Sequence, residues 1–278
     1  MATLIPAIVV AIFGTSGIQP TPADIAWITS GEFCEPETVL PLPDASLLVS
    51  NVCDFRERGN GFLTLLDVDG SVLDWRILDD LDAPLGMTLV DGQLYVVDNN
   101  QVKIFHWPSY EPLRTILLDT QVANDLAVAA DGTIYVSDTA GGLVQQVAPD
   151  GSQSMLTGEA RFDGANGIEL GDRQLFIGGE RLWRLDLDSG IVTILGPAWL
   201  SDIDGIEIES DGTLQITPVG GPLIRYRSDE DIEIFSGDGI SSANHGFSEQ
   251  LNLALIPTGF DNTVIAIRIP KPNARTQL

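Results

Sequence analysis

A hairpin pattern recurs six times along the 278 residues of this chain. Its clearest copy runs from Ala123 to Thr139 and consists of an apolar run, the pair Asp131-Gly132 and a second apolar run. Apolar residues beside the turn alternate with period two, as at Ile134 and Val136, which is typical of a strand. The Asp-Gly pair tolerates the positive φ that a tight hairpin needs. The pattern therefore predicts an antiparallel pair of strands.

Each copy begins with a residue at the same register, which we call its opener. The six openers are Glu37, Leu85, Asn124, Asn166, Asp204 and His245. They recur at intervals of about forty residues, and a period of that length with four short strands is typical of a propeller blade. One such unit cannot bury both of its faces, so several must pack together. The sequence predicts an all-β fold, a six-bladed β-propeller with four-stranded antiparallel blades.

The repeats fill one domain, which we place at residues 18 to 270, with residues 271 to 278 as a flexible tail. Blade six runs out of chain before its outer strand. We expect the segment Ala23 to Ser30 to supply that strand beside Thr263 to Ile269, because closure from the other terminus removes an exposed edge.

Residues 1 to 17 are predicted to be a signal peptide. Leu4 to Phe13 form an apolar run that is too short to span a bilayer, and small residues follow it. The segment before the run has no Lys or Arg, so an extra apolar strand on the propeller is the alternative. A signal peptide would make the protein secreted or periplasmic.

The two cysteines, Cys34 and Cys53, bracket the first hairpin. Either they form a disulfide, which fits an oxidising compartment, or they are two buried free thiols. The loop from Cys53 to Asn60 lengthens the first repeat. It either shapes a substrate pocket or is a tolerated surface insertion.

The charge of the chain excludes two classes of partner. Its 40 acidic and 14 basic residues give a net charge of −26, which repels nucleic acid and anionic membrane surfaces. We expect a monomer that acts on a small-molecule substrate and binds neither nucleic acid nor a membrane.

The openers themselves are candidate ligands. The innermost strand of each blade lines the central channel of a propeller, so residues at its start form a ring at one mouth. Carboxylates and carboxamides converging there need a partner, and an all-oxygen set of irregular geometry suits Ca²⁺ better than Mg²⁺. Alternatively, pairs such as Asn166-Gly167 are ordinary turn formers at strand starts.

Four motifs resemble one protein family. They are Pro36-Glu37-Thr-Val, Asn124-Asp-Leu with the following Asp-Gly-Thr-Ile-Tyr-Val-Ser-Asp, Asn166-Gly-Ile and Asp204-Gly-Ile. Together they look like the senescence-marker-protein/gluconolactonase family, which is related to diisopropyl-fluorophosphatase and, more distantly, to the paraoxonases. The resemblance covers the chain from about Glu37 to Ile269.

The resemblance implies a six-bladed propeller that holds Ca²⁺, or another divalent ion such as Zn²⁺, Mn²⁺ or Mg²⁺. Glu37, Asn166 and Asp204 would be metal ligands, and Asn124 would be a fourth ligand or a contact through water or substrate. Asp204 would also be the general base. His245 is a catalytic candidate whose alternative is a structural channel histidine, and Leu85 departs from the more polar opener that the family leads one to expect.

The expected function is therefore Ca²⁺-dependent hydrolysis of lactones or related esters at the channel mouth. The chain contains neither the Gly-x-Ser-x-Gly elbow of serine hydrolases nor a phosphate-binding loop. The main alternative is a non-catalytic propeller that binds a ligand or protein, and a lyase or synthase of the same architecture is a third possibility.

Overall fold

The computed structural model of the protein describes residues 18–156, 161–236 and 242–270. The predicted signal peptide and the predicted tail lie outside these residues. The described part of the chain contains 25 strands and no helix. Accordingly, no helix within it is long and apolar enough to cross a membrane.

Two strands precede the first repeat, β1 (Thr21–Pro22) and β2 (Asp24–Ser30). The remaining strands follow blade by blade in chain order. Blade one contains β3 (Pro36–Pro41), β4 (Leu47–Asn51), β5 (Gly61–Leu66) and β6 (Val72–Leu81); blade two contains β7 (Pro84–Val90), β8 (Gln93–Asp98), β9 (Gln101–His106) and β10 (Glu111–Leu117). Blade three contains β11 (Ala123–Val128), β12 (Ile134–Asp138), β13 (Leu143–Val147) and β14 (Gln153–Met155); blade four contains β15 (Ile168–Leu170), β16 (Gln174–Ile177), β17 (Leu182–Asp186) and β18 (Val192–Leu195). Blade five contains β19 (Ile203–Ile208), β20 (Leu214–Pro218), β21 (Leu223–Ser228) and β22 (Asp231–Ser236); blade six contains β23 (Gly246–Ser248), β24 (Leu253–Thr258) and β25 (Thr263–Arg268).

These sheets confirm the predicted six-bladed propeller of four-stranded antiparallel blades. The predicted closure is also confirmed, because β2 pairs antiparallel with β25 and is the outer strand of blade six. One strand was not predicted. β1 adds a fifth, parallel strand to blade five beside β22, so the amino-terminal segment joins two neighbouring blades.

The core is divided among the blade interfaces. The described part of the chain forms six clusters of buried apolar side chains, and each joins adjacent blades. Between blades three and four, for example, the rings of Phe162 and Trp183 meet edge to face with centroids 5.6 Å apart. Each fully buried large apolar side chain contributes about 1.5–3 kcal/mol, so every interface stabilises the ring independently.

Cys34 and Cys53 form a disulfide, with their Cα atoms 4.7 Å apart. This decides between the two alternatives that the sequence left open. The backbone N–H of Cys53 also donates to the carbonyl of Cys34 at 2.9 Å. The loop after Cys53 is therefore attached to the segment that leads into blade one. Export to an oxidising compartment, which such a bond would fit, stays a prediction.

Candidate active site in the central channel

Four of the six openers sit in β-bulges at the start of the inner strands, and the other two, Asn166 and His245, precede β15 and β23. In four blades the register of the first strand pair shifts there, between Pro36 and Val39, Pro84 and Met87, Ala123 and Leu126, and Ile203 and Gly205. A bulge leaves residues outside the regular ladder and redirects their side chains, which is why bulges are common beside active sites. The bulges place the openers at one mouth of the channel, on the face of the propeller that we call the opener face.

Hydroxyl groups of the second strands support these bulges. Ser50 on β4 accepts a hydrogen bond from the Thr38 N–H at 2.9 Å and donates to the Leu85 carbonyl of the next blade at 3.0 Å. Ser137 on β12 accepts from the Asp125 N–H at 3.0 Å. Backbone groups released from the ladder therefore find partners although they are buried.

The glycines after the openers are needed for close packing around the axis. A Cβ on Gly167 would lie 1.9 Å from the carbonyl oxygen of Asp204, and one on Gly246 would lie 2.0 Å from that of Val39. Neither glycine has positive φ. The pair Asn166-Gly167 is thus part of the inner-strand packing and is not a left-handed turn.

Three of the four predicted metal ligands carry an oxygen that lacks a partner. Oδ1 of Asn124, of Asn166 and of Asp204 is buried and accepts no hydrogen bond. Leaving a buried polar atom unpaired costs about 1–3 kcal/mol, so three equivalent cases on successive blades need an explanation. The fourth residue, Glu37, accepts a hydrogen bond at Oε2 from the Thr38 hydroxyl at 2.6 Å. The donor set fits a hard cation, which would give the three unpaired oxygens a partner.

Both carboxylates of this set have a raised pKa. The pKa of Asp204 is raised to about 7, first by burial and then by the charge of Asp125. A hydrogen bond from Asn166 lowers it in part. Burial followed by the charge of Asp204 raises the pKa of Glu37 well above its usual range. A nearby cation would reverse both shifts, since it favours the ionised form.

Three further carboxylates line the channel, and sequence reasoning missed them. Asp125, Glu169 and Glu207 border a cavity of about 240 Å³ to which all six inner segments contribute. Burial raises the pKa of Asp125 to about 7 and that of Glu169 to about 8, and it raises that of Glu207 well above its usual range. The described lining of this cavity includes no Lys or Arg.

The sequence contained a signal that could have identified two of these carboxylates as channel residues. Glu169 and Glu207 each stand three residues after an opener, as do the cavity-lining Leu40 and Thr88. A strict period of two would put opener and opener-plus-three on opposite faces. In blade five a bulge changes this parity, and in blade four the regular pairing begins at Ile168, after the opener. Asp125 stands where four of the other blades have glycine. Its Oδ2 accepts a hydrogen bond from the Ile168 N–H of the next blade at 2.9 Å.

His245 is held in one tautomer. The Thr217 hydroxyl donates to the Ala243 carbonyl at 2.9 Å, so in its 3.0 Å contact with His245 the ring Nδ1–H must be the donor. The other nitrogen, Nε2, is therefore an unprotonated acceptor, and it is buried without a partner. Burial lowers the pKa of His245 to about 3, so the ring is neutral. His245 lines the same cavity as the three additional carboxylates.

Leu85 does not join the polar openers. It is 3% exposed and packs in the cluster between blades two and three. Among the described residues no group of three or more His, Cys, Asp and Glu side chains is arranged to hold a metal ion. The predicted ligand set is of another kind, since two of its four members are carboxamides. A larger cavity of about 450 Å³ lies away from the channel, between the outer parts of blades four and five.

Comparison with known proteins finds similarity in structure only. No protein-family profile matches the chain, and no curated protein sequence is similar enough to count as a relative. A gluconolactonase from Xanthomonas campestris superposes with a TM-score of 0.69 at 15% identity, covering 91% of this chain and 96% of its own. A protein provisionally described as a gluconolactonase gives 0.68 at 16% identity, covering 91% and 94%. Virginiamycin B lyase from Staphylococcus aureus gives 0.64 at 12% identity, covering 88% and 99%.

The likeness to gluconolactonase propellers is confirmed at the level of the fold. At these identities the comparisons establish architecture, and the same architecture carries a lyase as well as gluconolactonases. The reaction must therefore be argued from the side chains of the channel.

Proposed function

We propose that the protein is a divalent-metal-dependent hydrolase, Ca²⁺ being the preferred ion, that opens lactones or related esters at the opener face of the channel. The observation that carries the proposal is the set of three buried, unpartnered oxygens on Asn124, Asn166 and Asp204. They belong to successive blades and occur at one register. Together with Glu37 they supply the oxygen-rich environment that a hard cation requires.

Glu37, Asn124, Asn166 and Asp204 would hold the ion. When bound, the ion supplies Lewis-acid polarisation of the substrate carbonyl and stabilises the negative charge that develops on its oxygen. The protein supplies the rest. Asp204 would be ionised beside the ion and is the better general base for the attacking water. His245, with a pKa lowered to about 3, stays neutral and offers Nε2 as a hydrogen-bond acceptor for water.

The test compares two neighbouring carboxylates. Asp204→Asn keeps the shape of the side chain but removes its charge and its basicity. We expect lactone hydrolysis to fall on the order of a hundredfold or more, as on loss of a key electrostatic stabiliser. The matched control is Asp202→Asn, which removes an exposed charge two residues away and should hydrolyse like the unaltered protein.

The assay is a panel of lactones, aryl esters and phosphotriesters, run after treatment with EDTA and again after addition of Ca²⁺. Chelation should reproduce the loss in the unaltered protein, and Ca²⁺ should restore activity there but not in Asp204→Asn. Equal activity of Asp204→Asn, chelated protein and untreated protein would exclude this site. If nothing on the panel is hydrolysed with metal present, the binding-propeller alternative replaces the proposal.

A lyase is the second candidate, and His245 is the observation that favours it. A histidine variant of virginiamycin B lyase is described as catalytically inactive, and His245 has a free, buried Nε2 in the channel. Product analysis separates the candidates. A hydrolase incorporates oxygen from H₂¹⁸O into the product acid, whereas elimination produces an alkene without it.

A further inference from the structure

Two phenylalanine side chains are exposed beside the segment that delivers Glu37 to the channel. Phe55 is 54% exposed and Phe260 is 77% exposed. Phe55 lies in the loop after Cys53, and Phe260 lies in the turn between β24 and β25. Both loops belong to the opener face. Most other exposed large apolar side chains lie instead on the outer strands, as do Ile28 and Leu117.

The loop of Phe55 is fixed to this segment. Besides the Cys34–Cys53 disulfide, the N–H of Cys53 donates to the Cys34 carbonyl at 2.9 Å, and the N–H of Val52 donates to the Glu35 carbonyl at 3.2 Å. Residues 34 and 35 precede Glu37 by only two or three positions. Phe55 is thus carried on a loop with a covalent attachment close to a predicted metal ligand.

The turn of Phe260 is fixed to the same segment from blade six. The N–H of Glu35 donates to Oδ1 of Asn262 at 2.7 Å. A Cβ on Gly259 would lie 3.4 Å from the Pro36 carbonyl oxygen, so the turn is in van der Waals range of the residue before Glu37. Both phenylalanines are therefore attached to one three-residue segment, and that segment continues directly into the proposed site.

The charge of the molecule limits what can enter the channel. The net charge of the chain is −26, and the described lining of the channel cavity includes no Lys or Arg. Such a field disfavours anionic ligands such as phosphorylated or carboxylated sugars. The mouth consequently combines a preference for uncharged molecules with two exposed aromatic rings.

We propose that Phe55 and Phe260 form an apolar lip beside Glu37, and that the substrate is an uncharged lactone or ester with an apolar substituent that this lip contacts. The inference rests on the proposed function and names its substrate class. It predicts alkyl-substituted lactones as better substrates than polyhydroxylated sugar lactones, because the two rings offer apolar area that an alkyl substituent can cover.

The test is a chain-length series. Rates are measured for γ-lactones with substituents from methyl to heptyl, with glucono-δ-lactone as the polar comparison. In the unaltered protein we expect kcat/KM to rise about two- to fourfold for each CH₂ that the lip covers. In Phe55→Ser/Phe260→Ser this rise should flatten, with the largest loss for the heptyl compound. The control is Ile28→Ser/Leu117→Ser, which removes two exposed apolar side chains from outer strands and should keep the full rise.

A binding measurement separates this inference from the proposed function. Alkyl-substituted γ-lactams resemble the lactones but resist hydrolysis, and their binding is measured by calorimetry in the presence of Ca²⁺. If no lactone is hydrolysed, the proposed function fails, while the lactam series still tests the lip. A dependence of lactam affinity on chain length that is lost in Phe55→Ser/Phe260→Ser supports the lip. An unchanged dependence in that variant, no dependence at all, or a preference for glucono-δ-lactone would overturn it.

Discussion

The channel carboxylates differ from the rest of this acidic protein in their surroundings. Most Asp and Glu side chains face water, whereas Asp125, Glu169 and Glu207 share a cavity with no described Lys or Arg in its lining. Burial is the largest cause of each raised pKa, followed for Glu169 by the charge of Asp125. In the absence of a cation these groups favour protonation, so the folded protein binds protons more tightly than the unfolded chain does.

Glu169 therefore gives a pH-dependent stability of definite sign. Its pKa rises from an ordinary 4.5 to about 8 in the folded protein. The free energy of unfolding of metal-free protein should accordingly fall as the pH rises from about 4.5 to about 8, because over that range the unfolded chain releases the proton that the folded protein keeps. Gln resembles the protonated acid, so the unfolding free energy of Glu169→Gln should fall less with pH. At pH 8 we expect this loss to be smaller than in the unaltered protein by on the order of 1–3 kcal/mol.

Urea denaturation in EDTA at pH 5 and pH 8 measures the effect. The control is Glu111→Gln on β10, where the carboxylate is exposed and should leave the pH dependence unchanged. Parallel pH profiles for the unaltered protein and Glu169→Gln would contradict the account of the channel electrostatics.

At the scale of single elements, the start of each inner strand determines the site. In four blades a bulge displaces the opener, and in blades one and three a second-strand hydroxyl pairs with the freed backbone. In blades two, four, five and six a glycine allows the next blade to approach. The contact between Gly167 and Asp204 is the clearest case, because the neighbour is a backbone carbonyl that cannot rotate away. Inner-strand packing and ligand position are thus coupled.

Gly167→Ala tests this coupling. A Cβ would lie 1.9 Å from the Asp204 carbonyl oxygen, so the inner strands of blades four and five must separate. We expect a loss of about 1–3 kcal/mol in unfolding free energy, as is typical of overpacking, together with weaker Ca²⁺ binding. The control is Gly171→Ala, at the other end of the same inner strand. Its Cβ would lie 3.3 Å or more from the nearest side-chain atoms and 3.8 Å from the nearest backbone atom. It should bind Ca²⁺ normally, and normal binding by Gly167→Ala as well would refute the coupling.

The same elements explain what the sequence could predict. Period-two runs and Asp-Gly turns are local signals, and they were sufficient for the blades and for the closure by β2. The repeat register was sufficient to bring Glu37, Asn166 and Asp204 to one mouth. Glu169 and Glu207 were missed because a strict period of two puts them on the face opposite their openers, and the irregular start of an inner strand, such as the bulge of blade five, is not visible as a periodic pattern. β1 was missed because two residues are too few for a periodic pattern.

At the scale of the whole molecule, the ring separates stability from function. Within the described residues, six apolar clusters distributed over the blade interfaces stabilise the fold, and none of them contains a polar opener. The carboxylates on the axis oppose one another instead, and a cation among them would remove that repulsion. Substitutions in the opener ring should for this reason change ion binding much more than they change folding.

Calorimetric titration of Ca²⁺ into metal-free protein is the most direct test of the ion site. We predict one channel site that depends on the opener ring. Its affinity for Ca²⁺ should fall by a factor of about 10–100 or more in Asp204→Asn and in Asn166→Ala, because even residues that only support a metal ligand have effects of that size. Asp202→Asn should bind like the unaltered protein. Failure of the unaltered protein to bind Ca²⁺, Mg²⁺, Mn²⁺ or Zn²⁺, or equal affinity in all four proteins, would contradict the proposal that these oxygens hold an ion.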